Sequence, residues 1–244
     1  GEWKLNRMKR KDFVPKMVEQ LKEDLQLKSS PRKIEAFDIS HLGGTNTVAS
    51  MVSFFDGKPK KNEYRKYNIK TVEGIDDFAS MREVVLRRYS RVKKEGLGFP
   101  DLILIDGGKG QLSMAVSALR ELGLEYITVI GIAKRLEEVF VPGHSDPQNI
   151  PKSSSGLILL RRIRDEAHRF AITFQRTKRK KTSLKSVFDD IAGMGPSRVK
   201  KIMKDFNGID EIASLDPQAI KEKSGIPISI AKEVVRIAKK TNLA

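Results

Sequence analysis

Two aspartates stand where an apolar strand would not ordinarily carry charge. Asp38 sits inside KIEAFDIS, residues 33–40, and Asp106 closes LILID, residues 102–106. An ionised carboxylate taken out of water is costly unless it is paired or binds a metal. Alone, each reads as a strand-end Asp that caps a turn. Brought side by side, their oxygens would suit a hard divalent cation, Mg²⁺ or Mn²⁺. Such an ion can activate water and neutralise charge on a phosphoryl group. The run after Asp106, Gly107-Gly108-Lys109-Gly110-Gln111, departs from the GxxxxGK[ST] nucleotide loop because Gly110 follows Lys109. It reads as a strand-to-helix turn. The chain has 3 His. His144 lies in a Gly/Pro loop and is expected to be solvated. His168, in RIRDEAHRFA, lies on a basic helix where His is ordinarily a surface residue, yet an imidazole there can ligate a metal or relay a proton near neutral pH.

The elements that would position these groups follow from periodicity. Residues 11–28 predict a short amphipathic helix. KIEAFDIS is a strand, and TVASMVSFFDGKPKKNEYRKYNI predicts two more, joined around Asp56-Gly57. DDFASMREVVLRRYSRVKKEG starts acidic and ends basic, as the helix dipole favours. Strand FPDLILID, helix GQLSMAVSALRELG, strand ITVIGIAK, a turn-rich stretch and a long helix from Ser155 into a very basic end complete the series. Three meandering strands followed by alternating helices and strands predict an α/β fold, a mixed sheet of ribonuclease H-like layout with flanking helices. In that layout the first and fourth strands are neighbours, so Asp38 and Asp106 would meet.

A basic stretch carrying no apolar period follows and reads as a linker. Beyond it, FDDIAGMGPSRVKKIMKDF and EKSGIPISIAKEVVRIAKK both read as helix end, glycine turn, helix. Gly193 and Gly195 permit a tight turn, and a glycine turn opening a helix is an anion site. Arg198, Lys200 and Lys201 follow at once. The second copy has Gly225 but lacks the second glycine. The expected domains are a helical segment over 1–30, a ribonuclease H-like domain over 31–177, a basic linker over 178–186 and an all-α pair of hairpins over 187–244.

Composition narrows the partners. The 244 residues carry 47 Lys+Arg against 31 Asp+Glu, a net charge of +16, which favours polyanions. With no Cys, disulfides and thiolate metal sites are excluded. No apolar run is long enough to span a bilayer and no signal pattern opens the chain. Cytoplasmic placement, with no membrane partner and no small-molecule substrate, is the expectation. The opening GEWKLNRMKRKDFVP reads like mid-chain sequence, as of a fragment.

FDISH (37–41), YRKYNI (64–69), DDFASM (76–81), LILIDGGKGQL (102–112) and RDEAHRFA (164–171) together resemble the UvrC family, the incision subunit of the bacterial UvrABC nucleotide-excision repair system. The C-terminal pair is similar to that family's tandem helix-hairpin-helix unit, a sequence-nonspecific DNA-binding module. The likeness covers the C-terminal half only; the family's N-terminal nuclease domain and its UvrB-binding hairpin have no evident counterpart. It implies a divalent-metal-dependent DNA endonuclease that cuts damaged double-stranded DNA on the 5′ side of the lesion, with UvrB as partner. By position, Asp38, Asp106 and His168 match catalytic and metal-binding residues, Asp77 a further acid that also reads as a helix cap, and His41 a supporting residue. Arg161, Arg162, Arg164, Arg169 and the run Lys178, Arg179, Lys180, Lys181 would track the DNA backbone. The alternatives are another ribonuclease H-like nuclease, specific for junctions or hybrids, and a non-catalytic DNA-binding scaffold.

Overall fold

A computed structural model describes residues 13–42, 46–72, 74–133, 138–188 and 191–242; the side chains of 42, 46, 174–187 and 242 lie outside the described set. Two compact units divide the chain, Gly1–Ile172 and Thr173–Ala244. No helix among the described residues is long and apolar enough to cross a membrane.

The first unit is built on a mixed sheet. Its strands are β1 (Lys33–Leu42), β2 (Asn46–Phe55), β3 (Lys58–Pro59), β4 (Arg65–Asn68), β5 (Leu102–Asp106), β6 (Thr128–Ile132) and β7 (Val139–Phe140). The order is β3-β2-β1-β5-β6-β7, with β4 also on β2. β1 pairs antiparallel with β2 and parallel with β5, so the first and fourth predicted strands are neighbours as expected. β5 is buried along its whole length, the continuous apolar reading of a central parallel strand.

Two expectations about the strands are refined. The third predicted strand is split: β3 pairs with Phe54 and Phe55, a 3₁₀ turn intervenes at Lys61–Glu63, and β4 pairs with Val48–Met51. Pro59 has no N–H for a continuing ladder. The turn at Asp56-Gly57 is present, both residues having positive φ (50° and 72°). The turn-rich stretch after β6 holds β7, a two-residue strand too short to announce itself by alternation.

The helices of this unit are α1 (Lys16–Asp24), α2 (Asp77–Lys94), α3 (Lys109–Glu121) and the start of α4 (Ser155–Phe188). α1 is shorter than the 11–28 expected, and its Val18 and Leu21 join the core formed with β1, β5 and α4. Helices α2 and α3 cover the opposite face, burying Phe37, Ile39, Ile103 and Ile105. On that face Glu35 of β1 is fully buried against Arg88 of α2 (2.6 and 3.1 Å) and accepts from the Tyr89 hydroxyl (3.0 Å). Burial comes first in pushing the Tyr89 hydroxyl well above its ordinary range.

The second unit carries the end of α4, then α5 (Pro196–Asp205), α6 (Ile209–Ser214), α7 (Pro217–Ser224) and α8 (Ile228–Asn242). Its core includes Phe188, Val199, Ile202, Phe206, Ile220 and Val234. The 178–186 stretch read as a linker without helical period lies inside the 34-residue α4. Lys, Arg and Gln are good helix formers, and extending a formed helix is far easier than starting one, so no apolar period is needed there.

Candidate active site

β1 carries its side chains alternately to two cores. Ile34 and Ala36 face the α1/α4 side and Phe37 and Ile39 the α2/α3 side. Asp38 therefore points to the α4 side. β5 runs parallel with Phe37 opposite Ile105, which puts Asp106 on the same face in the neighbouring position. Asp38 and Asp106 are 1% and 5% exposed. The turn after Asp106 is held because the Gly107 N–H donates to the Ile132 carbonyl at 3.1 Å.

α4 closes this face. Ser50, the cross-strand partner of Asp38, donates its buried hydroxyl to the Ala167 carbonyl at 3.1 Å. That bond sets the helix just before His168. The His168 Nδ1 lies 3.6 Å from Asp38 Oδ2, and its side chain is 47% exposed. Asp38 Oδ2 also accepts from the Ser40 hydroxyl at 2.9 Å. One ligand atom from each of Asp38, Asp106 and His168 lies within 4.8 Å of the others. A divalent cation takes such ligands at about 2.0–2.6 Å, so one ion can be reached by all three. The donor set, two carboxylates and an imidazole, fits a hard or borderline divalent metal.

Asp77 does not join that trio. Asp76 caps α2, accepting from the Phe78 and Ala79 N–H groups, and Asp77 is the first helical residue. The Asp77 carboxylate meets His41 Nε2 at 2.6 Å, while His41 Nδ1 meets the Thr47 hydroxyl at 3.1 Å. His41 is an odd number of residues from Asp38, so the pair lies on the α2/α3 side. His144 is exposed, as expected.

Several candidate phosphate-binding side chains are engaged within the protein. Arg164 pairs with Asp165 (2.8 Å) and Arg169 with Glu166 (2.7 Å); Arg161 donates to the Lys152 carbonyl and Arg162 approaches the Met17 sulfur. The Arg169 guanidinium first, and the Tyr64 hydroxyl with it, hold the Glu166 carboxyl below its ordinary range against burial. Lys178, Arg179, Lys180 and Lys181 lie in α4 with side chains outside the described set.

In the second unit Gly193 has φ +80°, a left-handed conformation that favours glycine, and Gly225 has φ +66° at the end of α7. Gly195 precedes α5, whose first amides have no side-chain cap. Arg198 turns back onto the Gly193 carbonyl, while Lys200 is exposed and the Lys201 ammonium lies near Gly225. Ser40 and Ser50 were not singled out by sequence reasoning. Only the β1–β2 register marks them, since hydroxyls on a core-facing row need an acceptor.

Against known families, residues 22–172 match the UvrC RNAse H endonuclease domain. UvrABC system protein C of Salinibacter ruber is 48% identical over 92% of this chain and 36% of its own length. The same protein of Cytophaga hutchinsonii is 52% identical over 81% of this chain and 33% of its own. The chain thus spans about a third of these relatives. Among solved structures, Endonuclease V from Bacillus subtilis is 13% identical with a TM-score of 0.34, covering 64% of this chain and 91% of that one. A likeness that faint says nothing of substrate.

Proposed function

The chain belongs to the UvrC family, and from that premise we propose that it is a divalent-metal-dependent DNA endonuclease making the 5′ incision of bacterial nucleotide excision repair. The observation that carries the reading is the convergence of Asp38, Asp106 and His168 from β1, β5 and α4. The substrate is damaged double-stranded DNA, presented by UvrB, and the setting is the cytoplasm.

A cation, Mg²⁺ or Mn²⁺, held by Asp38, Asp106 and His168 would supply charge neutralisation and water activation at a phosphodiester. Asp38 and Asp106 are carried by adjacent central strands, so their carboxylates are pre-positioned by the ladder between them. Ser40 holds one Asp38 oxygen in place, and Ser50 holds the helix that bears His168. His168, half exposed, either completes the ligands of the cation or, unligated, offers a ring nitrogen to accept the proton of the attacking water. Breaking the P–O3′ bond then leaves a 5′-phosphate and a 3′-hydroxyl. Asp77 serves this site through His41, as a brace between α2 and the end of β1.

The second unit is read as a tandem helix-hairpin-helix module. The α5 amides behind Gly193 and Gly195, with Lys200 and Lys201, take a backbone phosphate; Gly225 marks the second hairpin. Lys178 to Lys181 add phosphate contacts.

The test is nick mapping on a duplex with one defined bulky lesion, pre-loaded with UvrB, with Mg²⁺ or Mn²⁺ added. A metal-dependent nick 5′ to the lesion is expected. Symmetric cutting of four-way junctions, or a requirement for RNA, would instead identify another ribonuclease H-like nuclease. Binding without any nick would leave a scaffold.

A further inference from the structure

An aromatic ring at the start of α2 is left more than half exposed. Phe78, in the first turn of α2, is 54% exposed, and Ile75 just before the helix is 63% exposed. The ring lies against α3 at Gly110: a Cβ at that position would fall 2.3 Å from Phe78 Cε1. Gly110 does not have positive φ, so no turn demands a glycine there. A glycine within a helix is disfavoured relative to alanine. Its use here is to seat a ring in a residue that stays more than half exposed.

The ring lines an open cleft of about 760 Å³ with Ile75, Asp76, Asp77, Gly108, Gly110 and Gln111. That is within the roughly 300–1,000 Å³ of small-ligand sites. Gly108 is two residues beyond Asp106, so the cleft is continuous with the turn that ends the metal-site strand. No lining residue is cationic, and both carboxylates are engaged: Asp76 accepts two α2 amides at 2.9 Å, and Asp77 meets His41. The cleft therefore does not suit a phosphate. It suits a flat, uncharged group with a polar edge, for which the Gln111 amide supplies donor and acceptor.

We infer that Phe78, with Ile75 beside it, is a stacking shelf for one nucleobase next to the phosphodiester that is cut; the inference rests on the proposed endonuclease function. The occupant is a nucleic-acid strand because the chain carries +16 net charge and Gly108, in the cleft wall, follows the metal-cluster residue Asp106 by two residues. Base stacking on an aromatic face tolerates any base. The shelf would hold one nucleotide in register without reading sequence.

The experiment uses the whole chain with a bubble duplex in which 2-aminopurine replaces one nucleotide at a time around the mapped nick. Wild-type binding is expected to quench fluorescence about twofold or more at one position adjoining the nick, as stacking does. Phe78→Ala and Phe78→Leu are expected to lose that quench and to bind roughly 5- to 150-fold more weakly, the range for losing one stacked base. Gly110→Ala is expected to do the same by displacing the ring, while leaving the thermal unfolding midpoint unchanged or raised. That combination separates a shelf from a structural contact. Wild-type nicking without quenching at any adjoining position, or nicking and binding of Phe78→Leu and Gly110→Ala within twofold of wild type, would overturn the shelf. Quenching that depends on Phe78 in a protein that never nicks would support the shelf and sink the endonuclease function instead.

Discussion

Asp38 has the most constrained environment in the proposed centre. It is buried, it accepts from Ser40, and it lies 3.6 Å from His168. Asp38→Ala removes one ligand without touching the exposed cations. Nicking should fall to background while DNA affinity stays within about twofold, measured by gel mapping beside equilibrium binding. Full activity in that variant would remove Asp38 from the site. Asp77 belongs to a different prediction because its contact is His41 rather than the metal trio. Asp77→Asn keeps a hydrogen-bonding partner for His41 and should retain most nicking. Asp77→Ala, which breaks the brace, should reduce nicking further. Equal effects of both would mean that the Asp77 charge itself is needed.

At the scale of elements, two side-chain ties hold the face opposite the site. The Glu35–Arg88 pair clamps β1 to α2 in the core. Removing one partner of a buried ion pair typically costs about 3–5 kcal/mol, so Arg88→Ala should lower the unfolding free energy by that order, read by denaturant titration. Glu83 of α2 fastens the segment after β4. Burial, the largest influence, would raise its carboxyl, but hydrogen bonds from the Thr71 hydroxyl and amide, the Lys70 amide and Arg87 together outweigh it and hold it low. A carboxyl depressed in the folded state stabilises the fold above its unfolded value of about 4.3 and loses that contribution as pH falls through the folded value. Thermal stability should therefore decline below about pH 4.3, and Glu83→Gln should flatten that part of the profile. In the second unit the corresponding element is the turn before α5. At φ +80° Gly193 does not accommodate a branched side chain, and Gly195 opens the helix. Gly193→Val with Gly195→Val should weaken binding to bubble DNA; unchanged affinity would mean the module only packs.

For the whole molecule the governing quantity is charge. A surplus of +16 on 244 residues makes association with a polyanion strongly salt-dependent. Each neutralised phosphate adds about 0.7–0.9 to the slope of log K against log salt. Lys200→Ala with Lys201→Ala should lower that slope by about 0.7–0.9 for each lysine that neutralises a phosphate, without changing where the DNA is cut. An unchanged slope would place both lysines away from the backbone. The Arg161–Arg169 group is expected to contribute less, since Arg164 and Arg169 already pair with Asp165 and Glu166.

The order of elements was legible in the chain because periodicity is local: β5 reads as a continuous apolar run, α2 by its acidic start and basic end, and the glycine turns by residue type. The family was legible for the same reason, since FDISH, LILIDGGKGQL and RDEAHRFA are contiguous motifs. Even the meeting of Asp38 with Asp106 followed from strand order. Other features depended on atoms far apart in sequence. Ser50 gains its meaning from a helix 117 residues away. Glu35 and Arg88 look like surface charges until the fold buries both. The 178–186 stretch is helical despite its lack of an apolar period because helix propagation needs no apolar face once α4 has formed. Asp77 was separated from Asp38 by the two-residue period of β1, which sends Asp38 and His41 to opposite faces. Phe78 reads as an ordinary helix residue until Gly110 is placed beneath its ring. Local preferences, written in neighbouring residues, determined which elements form; which side chains share a face, a partner or a cleft was decided by packing between elements, which only the tertiary structure contains.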